Sequence, residues 1–331
     1  MTTTYKNVYV KQTATIAGIY EASGPLKKYF DKTYTKDLYF KENSWEKAEI
    51  KLLKDVTSLI LKKAKLKEKE VDLIISGDLS NQIAASDYAN RDFDIPFLGI
   101  YNACATSSEG MIIASTFIEG KKYKNCLVTT SSHNTAAEKQ YRNPTEYGTP
   151  KPDTTTFTVT GGAAILLTSE KTNIKVTSST IGKIIDKKIK DVNHMGAVMA
   201  PAAADTIYRH LTSLKQTPDY YDMILTGDLG YYGKEILLDY MKKAYNLDIS
   251  KQYNDCGVMI YDRKTQPVFA GGSGPACSAL VNFSYIYQLL KEKKLKRVLL
   301  VPTGALFSPT LVFQKESIPA IAHAISLEVV E

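Results

Sequence analysis

The feature that most constrains this chain is an internal repeat. Residues 71–79 read VDLIISGDL and residues 221–229 read YDMILTGDL, and each is an apolar strand that ends in Gly-Asp-Leu. A second repeated block follows downstream. Residues 99–128 and 271–300 each contain, in the same order, a glycine turn, a helix, a lysine-rich helix end and an apolar strand. Two blocks in the same order, with one insertion in the second half, indicate two copies of one unit.

Both copies alternate apolar strands with amphipathic helices. Apolar residues at helical spacing predict a helix over residues 45–65, and Pro201 is a suitable first-turn residue for its counterpart in the second half. The insertion predicts one additional helix over residues 235–245, and each half is expected to close with a strand, over 157–169 and 318–330. This alternation predicts a largely parallel sheet in each half, with helices on both faces.

The two sheets are expected to be related by a pseudo-twofold axis and to pack through shared helices. The helices that begin near Cys104 and Ala276 are poor in charge, and a helix that is apolar on most sides is a buried one. We therefore predict an α/β fold of two duplicated halves, residues 1–171 and residues 172–331, with these two helices at its centre.

Composition limits the cellular setting. With 331 residues, 44% of them apolar and 23% charged, the chain has the balance of an ordinary globular protein. No run approaches the roughly 20 apolar residues of a bilayer-spanning helix, and no apolar core of a signal peptide follows Met1. We expect a cytoplasmic protein, or one that reaches a membrane peripherally through partners.

The net charge of +7 comes largely from lysine runs near predicted helix ends, such as residues 62–65 and 291–294. Lysines there face the negative end of the helix dipole, and an anionic partner such as a membrane surface is the alternative interpretation. They are not interleaved with aromatic residues as on a base-stacking surface, so we predict no nucleic-acid partner. The four cysteines form no CxxC pair and no cluster with zinc spacing, which predicts no metal site of that kind and no disulfide.

Candidate site residues gather where strands are predicted to end. Ligands of open parallel sheets bind at the carboxyl ends of the strands. Because the two halves are copies, these ends are expected at one edge of the molecule. The candidates at that edge are Cys104, Asp78, Asp228, Gly271, Gly272 and Ser273.

Cys104 lies in the turn NACATS, between a predicted strand and a predicted buried helix. The unpaired N–H groups and the dipole of a helix N-terminus favour an anion. They would also lower the thiol pKa and create a nucleophile. The alternative is a small buried residue that serves packing alone, which is what we expect of Cys126 and Cys277.

A long polar segment follows the next strand. Residues 131–157 lack clear periodicity, and a loop of this length in a compact domain is usually functional. His133 is expected to face the candidate edge, Arg142 to clamp a carboxylate, and Tyr147 to contribute to the same site. His194 is a further candidate from the second half, and a structural role is the alternative for each of these residues.

The Cys104 turn, the duplicated strand–turn–helix unit and the closing strands resemble the thiolase superfamily, which includes the β-ketoacyl synthases. The resemblance implies a thiolase-like fold of five layers (αβαβα), an active-site cysteine at a buried helix N-terminus, and a homodimer. In the ketoacyl synthases a His and an Asn from the second half complete a hole that stabilises oxyanion charge.

The sequence departs from that family at both of these positions. Gly227 stands near the place of the expected His and Gly272 near the place of the expected Asn. The loss of one such donor typically costs ~10²–10³ in rate. The resemblance therefore implies a degenerate condensing-enzyme site, in which Cys104 is a vestigial nucleophile.

Longer segments resemble the SpoVAD family of sporulation proteins (stage V sporulation protein AD). The matching segments are 24–26 (GPL), 30–34 (FDKTY), 44–46 (SWE), 131–134 (SSHN), 144–148 (PTEYG), 199–206 (MAPAAADT) and 269–274 (FAGGSG). This resemblance implies a protein that binds dipicolinic acid for its uptake into the developing spore as part of the SpoVA system. It also implies association with other SpoVA subunits, including membrane proteins, at the forespore or spore inner membrane.

The chemistry of dipicolinate agrees with this implication. The ligand is a flat ring with two carboxylates, which the helix N-termini near Cys104 and Pro275 could bind through N–H groups. Tyr101 or Tyr147 could stack on the ring. Asp78 and Asp228 would repel the dianion unless they are protonated, paired or bridged by calcium. We therefore expect calcium only together with dipicolinate, and no other cofactor.

We thus expect a ligand-binding protein that serves transport rather than a working enzyme. One alternative is an acyltransferase or β-ketoacyl-synthase-like enzyme that uses Cys104 as nucleophile, with His133 or His194 as a replacement base. A second alternative is a scaffold whose pocket is vestigial and whose role is protein association alone.

Overall fold

The computed structural model describes residues 1–141 and 151–330 as a mixed α/β fold. The strands are β1 (Thr2–Thr4), β2 (Tyr9–Ala17), β3 (Lys32–Thr33), β4 (Leu73–Gly77), β5 (Phe97–Gly99), β6 (Asn125–Ser132), β7 (Phe157–Thr158), β8 (Gly161–Thr168), β9 (Ile174–Thr180), β10 (Met223–Thr226), β11 (Tyr253–Asp255), β12 (Gly272–Ser273), β13 (Arg297–Val301), β14 (Thr303–Ala305), β15 (Ala320–Ala322) and β16 (Ala324–Val329). The helices are α1 (Ile19–Ala22), α2 (Trp45–Ala64), α3 (Ala84–Asn90), α4 (Thr106–Glu119), α5 (Asn134–Tyr141), α6 (Met195–Leu214), α7 (Gly230–Tyr245), α8 (Cys256–Met259), α9 (Pro275–Val281), α10 (Tyr287–Lys291) and α11 (Pro309–Phe313). No helix in these two ranges combines the length and the apolar character needed to cross a bilayer.

The main sheet repeats one five-strand pattern in each half. Its order is β11-β10-β13-β16-β9-β2-β8-β6-β4-β5. In the first half β4 is parallel to β5 and β6, while β8 is antiparallel to β6 and β2. In the second half β10 is parallel to β11 and β13, while β16 is antiparallel to β13 and β9. The two sets therefore share one order and one set of directions, as a duplicated chain requires.

The two sets of strands meet where β2 and β9 lie side by side. Tyr9 pairs with Lys175, and the N-terminal strand β1 adds to β9 on the side of the second half. The sheets predicted as separate are thus joined at this edge, because the N-terminal segment crosses from one half to the other. The predicted boundary after residue 171 falls in the connection between β8 and β9.

Alternating side chains along the strands divide the core into three apolar layers. In β13, Val298 and Leu300 belong to the central cluster with α4 and α9, whereas Leu299 packs with α6 and α7. In β6, Val128 faces the same centre and Leu127 packs with α2. Successive strand residues point to opposite faces, so each sheet is covered by helices on both sides. This is the five-layered αβαβα arrangement that the resemblance to the thiolase superfamily implies.

The two helices predicted at the centre are buried and adjacent. Every residue of α9 is buried. Ser107 Oγ of α4 lies 3.4 Å from Ser278 Oγ of α9. Near the start of α9, Ala276 N donates to Ser132 Oγ at 3.4 Å. The N-terminal ends of these two helices, one from each half, therefore lie together.

Two helices begin earlier than the sequence predicts. α6 begins at Met195, so Pro201 lies inside the helix and not in its first turn. The earlier start is possible because the His194 ring caps the helix and accepts a hydrogen bond from Ala197 N at 3.3 Å. A proline inside a helix costs stability, and the extensive burial of α6 offsets that cost. α7 likewise begins at Gly230, before the predicted start at residue 235.

Each predicted closing strand is divided into two. In the first half the break between β7 and β8 falls at Thr160, whose N–H donates to the Glu21 carboxylate at 3.0 Å. In the second half the break between β15 and β16 falls at His323, whose Nδ1 accepts a hydrogen bond from Gly182 N at 2.9 Å. The short pieces leave the main sheet, so β7 pairs with β12 and β15 pairs with β14. These two small sheets form part of the candidate site.

Candidate functional site

A cavity opens where the two small sheets meet the N-terminal ends of the central helices. It holds about 600 Å³ of empty space when the open solvent at its mouth is included. The lining residues are Leu79, Tyr101, Ala103, Cys104, Ala137, Glu138, Tyr141, Thr156, Thr158, Met195, Met199, Asp228, Ser273, Gly274, Ala305 and Phe307. Both halves of the chain contribute to this wall, which is mostly apolar and carries two carboxylates.

Cys104 reaches the cavity from the turn between β5 and α4. Ala103 has a φ of 47°, a left-handed conformation that residues other than glycine rarely adopt. A single 3₁₀ turn over Ala103–Ala105 then leads into α4. Cys104 is partly exposed, whereas the other three cysteines are buried. The turn therefore presents one thiol to the cavity.

Asp228 faces Cys104 from the end of β10. Thr303 Oγ1 donates to its Oδ1 at 2.6 Å, and Gly274 N donates to its Oδ2 at 3.1 Å. Burial raises the pKa of Asp228 to about 7, although its hydrogen bonds with Cys104 and Thr303 act in the opposite direction. Near neutral pH this carboxyl group is therefore divided between its protonated and ionised forms.

The Cys104 thiol has a raised pKa, opposite to the direction that a helix N-terminus predicts. Burial is the largest cause, and the negative charge of Asp228 raises the pKa further. The Gly274 N–H lowers it, as a helix-end donor does, but this effect is outweighed. The sulfur is therefore a protonated thiol at neutral pH rather than a thiolate nucleophile.

None of the four histidines lines the cavity. His133 and His194 precede α5 and α6, and each ring accepts a hydrogen bond from the backbone N–H three residues ahead. His133 is fully buried, and its Nε2 also bonds Leu38 O at 2.8 Å. The structure thus does not bring the predicted histidines to Cys104, because helix capping turns both rings toward the backbone.

Asp78 is held in the loop that follows β4 and does not line the cavity. Its carboxylate accepts hydrogen bonds from Ser80 N and Ser86 N, both at 2.7 Å. Burial raises its pKa, and these bonds lower it. Asp78 therefore fixes the chain between β4 and α3, in contrast to its repeat partner Asp228.

The glycine turn contributes its last two residues to the cavity, Ser273 and Gly274. Gly271, with a φ of 115°, is packed so closely that an added Cβ would lie 2.5 Å from Gly257 O. A Cβ on Gly272 would lie 3.1 Å from Cys277 Sγ. Gly271 and Gly272 therefore permit dense packing of the turn, and they do not approach a ligand in the predicted way.

The positions near the expected catalytic His and Asn are tightly packed. An added Cβ on Gly227 would lie 3.1 Å from both Pro302 Cα and Thr303 N. An added Cβ on Gly272 would lie 2.7 Å from Ile260 Cγ2. A histidine or an asparagine would therefore require the backbone around Gly227, or the side chains around Gly272, to shift.

The structure describes only one of the three remaining candidates, Tyr101. Arg142 and Tyr147 lie outside the residues that the structure describes. Tyr101 lines the cavity, and its hydroxyl lies 3.0 Å from the Tyr141 hydroxyl. The Tyr141 ring lies 5.5 Å from the Phe307 ring, between centroids. These three rings form an aromatic cluster on one wall.

Tyr141, Thr303 and Phe307 were not among the predicted site residues. The segment with Thr303 follows β13, which corresponds to β6 in the first half, so the repeat could have pointed to it. Tyr141 and Phe307 come from α5 and from the connection between β14 and β15, and no sequence pattern joins those segments.

The described part of the cavity wall is acidic. Glu138 and Asp228 are its charged residues, and the Glu138 carboxylate pairs with Lys151 Nζ at 2.7 Å. Within residues 1–141 and 151–330, no three His, Cys, Asp or Glu side chains come together as a metal site. Asp228 in its protonated form can donate a hydrogen bond to an anion, whereas its ionised form would repel one.

The fold defines the class of this protein. The solved structure of 3-oxoacyl-[acyl-carrier-protein] synthase III from Aquifex aeolicus VF5 is similar, with a TM-score of 0.57 and 12% identity, over 97% of this chain and 99% of that one. A structure of an OleA variant from Xanthomonas campestris has a TM-score of 0.64 and 12% identity, over 98% and 97%. The chain therefore has the thiolase-like fold of these proteins.

Sequence comparison then identifies the family. The family model for stage V sporulation protein AD (SpoVAD) matches residues 2–328. Stage V sporulation protein AD of Bacillus subtilis (strain 168) is 46% identical over 321 residues, which is 97% of this chain and 94% of the relative. The chain belongs to the SpoVAD family of sporulation proteins.

Proposed function

We propose that this protein binds dipicolinic acid in the Cys104 cavity and serves its uptake into the developing spore as part of the SpoVA system. The observation that carries the proposal is the pairing of Cys104 with Asp228, in a cavity that no histidine reaches. A protonated thiol beside a carboxylate that disfavours the thiolate, with no histidine to take its proton, is poorly suited to acyl transfer. The same cavity retains the mostly apolar wall of a binding site.

The ring and the carboxylates of the ligand have separate partners in this proposal. The aromatic cluster of Tyr101, Tyr141 and Phe307 offers faces and edges to a flat ring. The protonated form of Asp228 offers a hydrogen-bond donor to a carboxylate. If the ligand carries calcium, the ionised form of Asp228 and the Glu138 carboxylate would instead present oxygens to the metal.

Calorimetry with the purified chain tests the binding. Dipicolinate is compared with benzene-1,3-dicarboxylate, which has the same shape but lacks the ring nitrogen, each with and without calcium chloride. We expect saturable heat with dipicolinate and weaker binding of the benzene analogue. Heat that fails to saturate at millimolar dipicolinate, with and without calcium, would contradict the proposal.

A matched pair of variants places the ligand in the cavity. Ala305→Trp fills part of the cavity from β14 and should abolish the saturable heat. Ala305→Ser changes the same position with little volume and should leave binding intact. A sporulating strain with Ala305→Trp should also contain less dipicolinate in its spores. Unchanged dipicolinate in that strain would favour the scaffold with a vestigial pocket.

Acyl transfer is a second candidate, and one observation favours it. The Gly274 N–H faces the Cys104 thiol and lowers its pKa, as a donor in an oxyanion hole would. Incubation with acyl-coenzyme A thioesters, followed by intact mass measurement, would reveal an acyl adduct on Cys104. We expect none in the wild type, and Cys104→Ala provides the blank.

The proposal also includes the cellular location of the protein and its partners. We expect the protein on the forespore or spore inner membrane, in association with other SpoVA subunits that include membrane proteins. Fractionation of sporulating cells with and without those subunits tests this association, since loss of the partners should lower the share of the protein that sediments with the membrane.

A further inference from the structure

An apolar edge that is rich in lysine projects from the second half. It consists of residues 181–190 and of residues 306–319, the hairpin that connects β14 to β15. The two segments lie side by side, since Ile318 N donates to Ile189 O at 2.9 Å. We call these two segments the hairpin edge.

Four large apolar side chains of the hairpin edge are exposed. Phe313 is 85% exposed and Leu311 is 50% exposed, both on the short helix α11 at the hairpin tip. Ile184 is 63% exposed and Ile181 is 48% exposed on the neighbouring segment. Single exposed apolar residues are ordinary, but Leu311 and Phe313 are both exposed on the same short helix, which favours an interaction surface.

Lysines surround these apolar residues. The exposed lysines of the hairpin edge are Lys183, Lys187, Lys188, Lys190 and Lys315. Its acidic residues are fewer, and Asp186 is already paired with Lys188 at 2.8 Å and with Ser317 Oγ at 2.8 Å. The hairpin edge therefore carries net positive charge beside protruding apolar groups.

We propose that the hairpin edge docks this protein directly on an anionic lipid bilayer. Leu311 and Phe313 would enter the interfacial zone, while the lysines would lie against the lipid headgroups. A protein partner usually fits a groove or a flat patch, whereas here the apolar side chains project from a hairpin tip. The charge of the surrounding lysines complements anionic lipids.

Docking in this orientation would bring the cavity close to the bilayer. Phe307 lies on the same hairpin as Phe313 and also lines the cavity. The ligand of the cavity would thus be held near the membrane surface. The docking inference does not depend on which ligand that is.

Co-sedimentation with vesicles tests the inference on the purified full chain. Vesicles of phosphatidylglycerol and phosphatidylcholine are compared with vesicles of phosphatidylcholine alone, at low and at physiological salt. We expect binding to the anionic vesicles that weakens with salt. The double variant Leu311→Ser/Phe313→Ser should lower the partition coefficient by about tenfold or more. Lys183→Glu/Lys190→Glu should lower it to a similar extent and reduce its salt dependence.

Two control variants make the result specific to the hairpin edge. Lys121→Glu/Lys122→Glu makes the same charge change at the far end of α4, remote from the cavity. Tyr88→Ser removes a side chain that is 52% exposed on α3. Both should bind vesicles like the wild type. Equal losses in the two lysine variants, or a wild type that ignores anionic vesicles and needs a protein partner, would overturn the inference.

Discussion

Cys104 stands where a condensing enzyme would have its nucleophile. Its neighbours have opposite effects on the pKa of its thiol. The Gly274 N–H favours the thiolate, whereas burial and the Asp228 carboxylate favour the thiol. The carboxylate also takes up a proton near pH 7, because burial raises its pKa to about 7. Asp228 therefore contributes both to the charge of the cavity and to the low reactivity of the thiol.

Replacement of Asp228 should make Cys104 more reactive. In Asp228→Asn the negative charge is gone, so the Cys104 pKa should fall and the thiolate fraction at pH 8.5 should rise. Alkylation by iodoacetamide should then accelerate by about tenfold for each unit by which the pKa falls. Peptide mass mapping measures this rate, and the other three cysteines are buried.

Ser273→Ala serves as the control for this experiment. It changes another residue of the cavity wall and keeps Asp228 with its hydrogen bonds from Thr303 and Gly274. The alkylation rate of Cys104 should change little. A rate in Asp228→Asn that is equal to or below the wild-type rate would show that Asp228 does not govern the thiol.

The sequence could predict site residues only as far as the repeat fixes strand ends. Cys104, Asp228 and Ser273 reach the cavity because each follows directly on a strand or a glycine turn. His133 and His194 also stand at such places, but the direction of a capping ring depends on local hydrogen bonds that no pattern reports. The aromatic cluster depends on contacts between remote segments, which a single sequence does not contain.

At the scale of elements, the duplication extends to the way helices end. α2 and α6 both contain 20 residues. Their C-cap residues, Lys65 and Lys215, have the same left-handed conformation, with φ of 54° and ψ of 40°. Periodicity predicted both helices, whereas the start of α6 was wrong because a proline inside a buried helix is tolerated.

Glycine at these two C-caps should stabilise the protein. A left-handed conformation costs a residue with a side chain roughly 1–2 kcal/mol, and glycine avoids most of that cost. Lys65→Gly and Lys215→Gly should each add about 0.5–1 kcal/mol to the free energy of unfolding, allowing for the greater chain entropy of glycine. Urea denaturation measures the gain.

Lys62→Gly is the matched control for the cap substitutions. Lys62 is exposed in the last turn of α2, where the backbone is right-handed helical. Glycine there should cost about 1 kcal/mol. A gain at position 62, or a loss at both C-caps, would show that backbone conformation does not decide the effect.

The two edge strands of the main sheet differ in their exposure to solvent. β11 is covered, with Tyr253 and Asp255 buried, whereas all three residues of β5 are exposed. An exposed edge strand invites pairing with another chain. We therefore expect a homodimer in which β5 of each copy pairs with β5 of the other and continues the sheet.

Substitutions on β5 should separate that dimer. Leu98→Lys places a charge on the edge strand and should convert a dimer to a monomer in light scattering. Ile184→Lys introduces the same residue at another exposed apolar site, on the segment that follows β9, and it should leave the dimer intact. A wild-type chain that is monomeric at micromolar concentration would contradict the expected pairing.

Buried carboxyl groups should make the stability of the whole molecule depend on pH. Glu21 joins the two halves, because its carboxylate accepts hydrogen bonds from Thr160 N and from the Tyr261 hydroxyl. Burial raises its pKa to about 7. Since glutamate in an unfolded chain titrates near pH ~4.3, the folded chain binds more protons between these values. The free energy of unfolding should therefore fall as the pH rises toward 7.

Glu21→Gln should remove the part of the pH dependence of the free energy of unfolding that Glu21 causes. The amide is neutral at every pH and can accept the same two hydrogen bonds through its oxygen. At pH 8.5 the variant should be more stable than the wild type, by a margin on the order of 3 kcal/mol, and the margin should shrink toward pH 5. Urea denaturation at pH 5.5, 7 and 8.5 measures the slopes. Glu235→Gln, at an exposed position on α7, should keep the wild-type slope, whereas an unchanged slope in Glu21→Gln would mean that Glu21 is not the coupled group.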